Sequence, residues 1–123
     1  MLSSEPRHIR GLFFFILSYL DTLRVTPYSL SMIKSFVHKG LQAFFEDGTK
    51  RGIAPERAAK LSRILDRLDA STGPQDMNLP GYGLHQLSGD RLGQWAVRIN
   101  GNWRVTFVFE DRDAALVDYV DYH

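Results

Sequence analysis

The amino-acid sequence predicts an α+β domain, a small twisted antiparallel sheet with two helices packed on one face, preceded by an N-terminal extension. Three observations predict it. Apolar residues recur at helical spacing from Pro55 to about Ala70. The period then changes to two, and turn-bounded runs of strand character follow to the end of the chain. A chain of 123 residues, 44% apolar and 24% charged, has one domain's worth of core rather than two.

Residues 1–31 differ from the rest. Their apolar run, Leu12 to Leu17 with Tyr19 and Leu20, is shorter than the roughly 20 residues a bilayer-spanning helix needs. No small-residue cleavage site follows Leu20, which argues against a signal peptide. Two readings stay open: a short amphipathic helix from about Ile9 to Leu23 ended by a Thr26–Pro27 turn, or an upstream extension from a mis-assigned start. The domain proper is expected over 32–123.

From Met32 the elements follow in order. Met32–Val37 reads as a strand. Lys39–Glu46 reads as a short helix with Leu41, Phe44 and Phe45 on one face, stopped by Asp47-Gly48. Pro55 suits a first helical position. Ala58, Leu61, Ile64, Leu65 and Leu68 continue that helix, with Arg57, Lys60, Arg63, Asp66 and Arg67 on its other face, and Ser71-Thr72-Gly73-Pro74 ends it. Leu84–Leu87, Gln94–Asn100, Asn102–Phe109 and Ala114–Val120 read as strands.

The hairpin around Asn100-Gly101 has two candidate registers. A two-residue Asn-Gly turn pairs Ile99 with Asn102 and sets apolar positions against polar ones. A three-residue loop, Asn100 to Asn102, pairs Ile99 with Trp103, Val97 with Val105 and Trp95 with Phe107. Side chains alternate with period two, so the apolar match selects the second. Arg98 and Arg104 then lie opposite each other on the other face. Like charges there are unfavourable unless an anion joins them or they splay into solvent.

Charge and composition exclude several classes. Lys+Arg is 15 and Asp+Glu 14, so bulk charge does not mark a general polyanion binder. The distribution is uneven: residues 32–104 hold 11 basic and 7 acidic residues, while 105–123 hold one Arg and five acids. There is no cysteine, which removes disulfides, thiolate metal sites and a cysteine nucleophile, and is in keeping with a reducing cytoplasm. No pair among His8, His38, His85 and His123 has metal-ligand spacing, so neither a metal nor another cofactor is expected. Gly81-Tyr82-Gly83 precedes a strand rather than opening a helix, and reads as a turn, not a phosphate loop. At the C-terminus Asp121, Tyr122 and His123 set a carboxylate, a phenol and an imidazole side by side; they are a frayed tail or a proton-transfer group. His85, between Leu84 and Leu87, is structural or catalytic.

In this order the signals resemble the HigB branch of the RelE-like toxins of bacterial toxin–antitoxin systems. The resemblance rests on Met32-Ile-Lys-Ser-Phe36, Leu84-His-Gln-Leu-Ser-Gly-Asp-Arg91, Gly93-Gln-Trp-Ala-Val-Arg98, Asn102-Trp-Arg104 and Asp121-Tyr-His123, and spans Met32 to His123. It implies a microbial-ribonuclease-like toxin that enters the ribosomal A site, cuts translated mRNA in the cytoplasm, and is neutralised by a helix-turn-helix, HigA-like antitoxin. It carries catalytic roles to His85, Arg104, Asp121, Tyr122 and His123. Some relatives have a lysine where this chain has Ser88, and Arg91 or Arg98 is expected to supply that charge as an RNA phosphate ligand. The chemistry implied is attack of a 2′-OH on the adjacent phosphate, which needs a base, an acid and cations but no metal. The alternative, from another class, is a non-catalytic module of the same fold that binds an antitoxin and acts as co-repressor.

Overall fold

The structure, a computed structural model, describes residues 31–122. The expectations for residues 1–30, and the placement of His123, lie outside the described residues. Helix α1 is Lys39–Asp47 and helix α2 is Pro55–Ala70; strands β1 (His85–Gln86), β2 (Trp95–Asn100), β3 (Trp103–Glu110) and β4 (Asp113–Asp121) follow. The strands form one antiparallel sheet in the order β1-β2-β3-β4. Among the described residues no helix is long and apolar enough to cross a membrane.

Local chemistry sets the helix ends. His38 caps α1, its Nδ1 accepting from the Leu41 N–H at 2.9 Å, and Gly48 closes it in the left-handed region. Pro55 occupies the first turn of α2, and Ser71 ends it, its hydroxyl donating to the Arg67 carbonyl at 2.7 Å. Both helices bury the predicted stripes: Leu41, Phe44 and Phe45 from α1, and Leu61, Ile64, Leu65 and Leu68 from α2. These pack against Val97, Ile99, Val105, Phe107, Val117 and Tyr119 of the sheet as one core. Burial of this apolar face holds the helices to the sheet.

Two elements depart from expectation. Residues 32–37 form no regular strand. Ile33 and Phe36 make isolated parallel bridges to Ala114 and Val117 on the free edge of β4. The break has a cause in β4, where Leu116 takes φ 53 and its N–H turns to the Ser35 hydroxyl at 2.8 Å instead of continuing the ladder. The segment is also tied by the Ile33 N–H to Asp69 Oδ1 at 2.8 Å and by Lys34 to Glu110 at 2.8 Å.

The second departure is the hairpin end. Trp95↔Phe107, Val97↔Val105 and Arg98↔Arg104 pair as the apolar match requires, but Asn100, not Ile99, lies opposite Trp103. The loop is therefore Gly101-Asn102, with a bulge between Arg98 and Asn100. Gly101, at φ 51, fills the first loop position, where a two-residue hairpin turn favours glycine. The extra residue shifts the strand's phase by one, so Ile99 stays in the core although the turn is shorter than the three-residue loop.

Candidate active site

The register divides the sheet into two unlike faces. Trp95, Val97, Val105 and Phe107 point to the helices. The other face carries two rows: His85, Ala96, Thr106 and Asp118 across the four strands, then Arg98, Arg104 and Val120 beside them. Of the sequence-predicted residues, His85, Arg98 and Arg104 thus share one face.

Arg91 reaches the same cluster from the loop before β2. Its Nε and Nη2 donate to Gln94 Oε1 at 3.3 and 3.0 Å, which fixes the guanidinium, and Nη1 donates to the Tyr122 hydroxyl at 3.2 Å. Tyr122 is held in turn by its N–H, which donates to the Asn102 carbonyl at 2.8 Å. Arg104 approaches from the other side. Its Nη1 donates to the carbonyls of Gly101 and Trp103 at 2.8 and 3.1 Å. The guanidinium carbons of Arg91 and Arg104 lie 5.8 and 5.9 Å from the Tyr122 ring centre. Among the described residues no carboxylate forms an ion pair with Arg91, Arg98 or Arg104.

Arg98 and Arg104 do not converge on one point. Arg104 is drawn to the hairpin-turn carbonyls, whereas the Arg98 guanidinium lies beside Gly83, where a Cβ would stand 4.0 Å from its Nε and Nη2. Of the two outcomes expected for opposed arginines, the structure shows them splayed. Arg98 is also the exposed member, while Arg91, Arg104 and Tyr122 are half-buried.

His85 is exposed on β1, its Nδ1 3.1 Å from the Gly83 carbonyl. A carbonyl only accepts, so Nδ1 is the donor in this contact, and in the neutral ring that leaves the lone pair on Nε2, the tautomer of a general base. Asp121 is placed differently. Its register partner is Trp103, whose ring lies on the helix side against Arg57 and Tyr119, so alternation sets Asp121 on the face opposite Tyr122. His123 follows beyond the described residues.

Sequence reading passed over two groups on the arginine face. Asp118 is half-buried opposite Thr106, with Oδ1 accepting from the Tyr119 N–H at 2.8 Å. Thr106 is fully buried and its hydroxyl has no partner. The alternation Asp118, Val120, Tyr122 was the available signal for the first. The expected basic face of α2 also proves mixed. Arg57 is half-buried, its guanidinium carbon 4.3 Å from the Trp103 ring centre and its Nε donating to the Tyr119 hydroxyl at 2.7 Å.

Similarity to known proteins covers the same part of the chain. The family model for the HigB-like toxin, described as the RelE-like toxin of type II toxin-antitoxin system HigB, matches residues 34–123. The chain is 41% identical over 92 residues to the Endoribonuclease HigB of Proteus vulgaris, covering 75% of this chain and 100% of that protein. It is 32% identical over 94 residues to the Toxin HigB-1 of Vibrio cholerae serotype O1, covering 75% of this chain and 98% of that protein.

Proposed function

The chain belongs to the HigB-like toxins of type II toxin–antitoxin systems, and from that membership we propose that it is a ribosome-dependent mRNA endonuclease acting in the A site. It is an endoribonuclease, and as the toxin of such a system it has a cognate antitoxin. The finer reading makes that antitoxin a helix-turn-helix, HigA-like protein, and places the toxin's work in the cytoplasm, on mRNA under translation.

One observation carries the nuclease reading at this site: Arg91 and Arg104 flank Tyr122, and among the described residues no carboxylate pairs with either. Two unneutralised guanidiniums around a phenol suit a phosphodiester, since guanidinium binds phosphate oxygens bidentately and stabilises charge that builds in the transition state. Arg104 holds the scissile phosphate and Arg91 supports it. His85, with Nε2 free to accept, takes the 2′-OH proton. The 2′ oxygen then forms a bond to phosphorus while the bond to the 5′ oxygen breaks. His123 gives that oxygen its proton, Asp121 orients His123, and Tyr122 holds the phosphate or stacks on a base. The products are a 2′,3′-cyclic phosphate and a 5′-hydroxyl end.

The test is a translation reaction on a defined mRNA with 5′ ends mapped, with and without ribosomes, using the full chain and its Arg104→Ala and His123→Ala variants. Cuts within codons that need ribosomes and vanish in both variants are expected. A folded wild-type protein that binds its antitoxin and leaves mRNA intact would replace this reading with the non-catalytic module.

A further inference from the structure

We infer that Lys60 of α2 and Arg98 of β2, gathered around the Gly81–Gly83 turn, form a second phosphate subsite that holds an mRNA phosphate adjoining the scissile one. The inference rests on the nuclease reading and extends its site by one nucleotide step. It starts from the splaying of the two arginines. The Arg104 guanidinium is held by the hairpin-turn carbonyls, whereas that of Arg98 lies beside Gly83.

The turn there is built to bring Lys60 near it. The Arg98 N–H donates to the Tyr82 carbonyl at 2.6 Å, which pins the turn to β2. Lys60 crosses from the helix side, its Nζ donating to the Gly81 carbonyl at 3.1 Å and lying 5.6 Å from the Tyr82 ring centre. An ammonium has three donors, and one is used. The charged groups acting on Lys60 are Arg98 and Arg63; with burial, which contributes most, they hold its pKa below the usual lysine value. Neither Lys60 nor Arg98 has a carboxylate within ion-pair distance among the described residues. Like charges gathered with donors to spare are the complement of an anion.

Gly83 has a part in this. It sits at φ 57, so a side chain there would strain the turn, and its Cβ would stand 4.0 Å from the Arg98 guanidinium. The subsite therefore lies at the β1 edge of the arginine face, one row from His85. A single strand laid across the face meets Arg91, Tyr122 and Arg104 at one phosphate, and Arg98 with Lys60 at its neighbour.

The experiment measures binding of the full chain to ribosomes programmed with an mRNA made uncleavable by a 2′-deoxy sugar at the scissile position. Two further mRNAs carry a single uncharged methylphosphonate, on one or the other side of that position. Lys60→Gln and Arg98→Gln are each expected to weaken binding about tenfold on the all-phosphate mRNA, the loss of one charge-assisted hydrogen bond. In each variant the log–log slope of affinity against salt should become shallower by about 0.7, the value for one fewer neutralised phosphate on a single strand. Lys60→Arg should restore most of the affinity. One of the two methylphosphonates should weaken the wild type equally and make Lys60→Gln silent. Wild-type affinity in Lys60→Gln overturns the inference. So does a loss that is equal on all three mRNAs, which would place the phosphate in ribosomal RNA, and so does a defect confined to antitoxin binding. If the wild type cuts a cleavable mRNA while Lys60→Gln binds normally, only the inference fails. If the wild type neither cuts nor binds, the nuclease reading fails with it.

Discussion

Arginine is used in opposite ways on the two sides of the sheet. On the helix side, Arg57 stacks on Trp103, hydrogen-bonds the Tyr119 hydroxyl and approaches Glu56 at 3.7 Å. Its charge is absorbed by an aromatic face, a phenol and a nearby carboxylate. On the open side, Arg91, Arg98 and Arg104 contact carbonyls, an amide and a phenol, none of which cancels a unit charge. On the helix side the partners around the half-buried cation include a carboxylate; on the open side, among the described residues, no carboxylate pairs with the cations. Hydrogen bonds to neutral groups fix where a guanidinium sits without spending its field, and that leaves a positive surface shaped for a phosphodiester. The +1 net charge of the whole chain conceals this local excess.

The contrast is sharpest where one side is damaged without the other. Phe107 is fully buried among the helix-side residues. Phe107→Ala should cost about 3–5 kcal/mol of stability, read as a lowered denaturation midpoint with an unchanged slope. Arg104→Ala should behave in reverse. Stability should fall by only about 1 kcal/mol, the scale of its hydrogen bonding to the hairpin-turn carbonyls, while the rate of mRNA cutting falls about 10²–10³-fold, as when one donor to a developing oxyanion is removed. A melting temperature that collapses in Arg104→Ala would mean the open face is structural after all.

A smaller effect tests the helix-side arginine itself. Arg57→Met keeps the length of the side chain but removes its hydrogen bond to Tyr119 and its charge over Trp103. A stability loss of about 1–2 kcal/mol is expected in urea titration, with cutting unchanged at a temperature where the variant is folded. The smallest effect lies away from both faces. The Thr72 N–H donates to Asp76 Oδ2 at 2.9 Å, and this bond, aided by the Thr72 hydroxyl, the Gly73 N–H and Arg67, holds the Asp76 carboxyl below its ordinary pKa. A depressed carboxylate stabilises the fold above its unfolded pKa, and the effect is lost as pH falls through the folded value. Asp76→Asn should therefore lower stability slightly at neutral pH, and the difference from wild type should shrink as pH drops below about 4.

Much of this molecule was legible in the chain. The α2 stripe from Ala58 to Leu68 and the period-two run from Trp95 to Phe107 are local patterns, and burial of one face enforces each. The opposition of Arg98 to Arg104 followed from matching Val97 with Val105, because a slip of one residue would turn the core outward. The bulge at Ile99 and the break at Leu116 were not legible. Both depend on how a strand's phase is adjusted to what packs against it: the helix-side core around Ile99 in one case, Ser35 in the other. The site divides in the same way. His85, Arg104 and Tyr122 were found from motifs. Asp118 was missed, since its one signal, alternation with Val120 and Tyr122, places it on the arginine face only once the register of β4 is known.

The sequence by itself determined the helices, the strand order of the hairpins, the face that is buried and the residue types available for phosphate chemistry. These follow from periodicity and turn residues, which act over a few positions. Only the tertiary structure decided how the cations are used. Arg57 is neutralised because α2 lies against Trp103 and Tyr119. Arg98 parts from Arg104 because the Gly83 turn leaves room for a guanidinium. Lys60 joins Arg98 because a helix and a sheet edge meet at one turn. Charge interactions depend on distance through space and on the groups that happen to be near, and those distances are set only when the chain is folded.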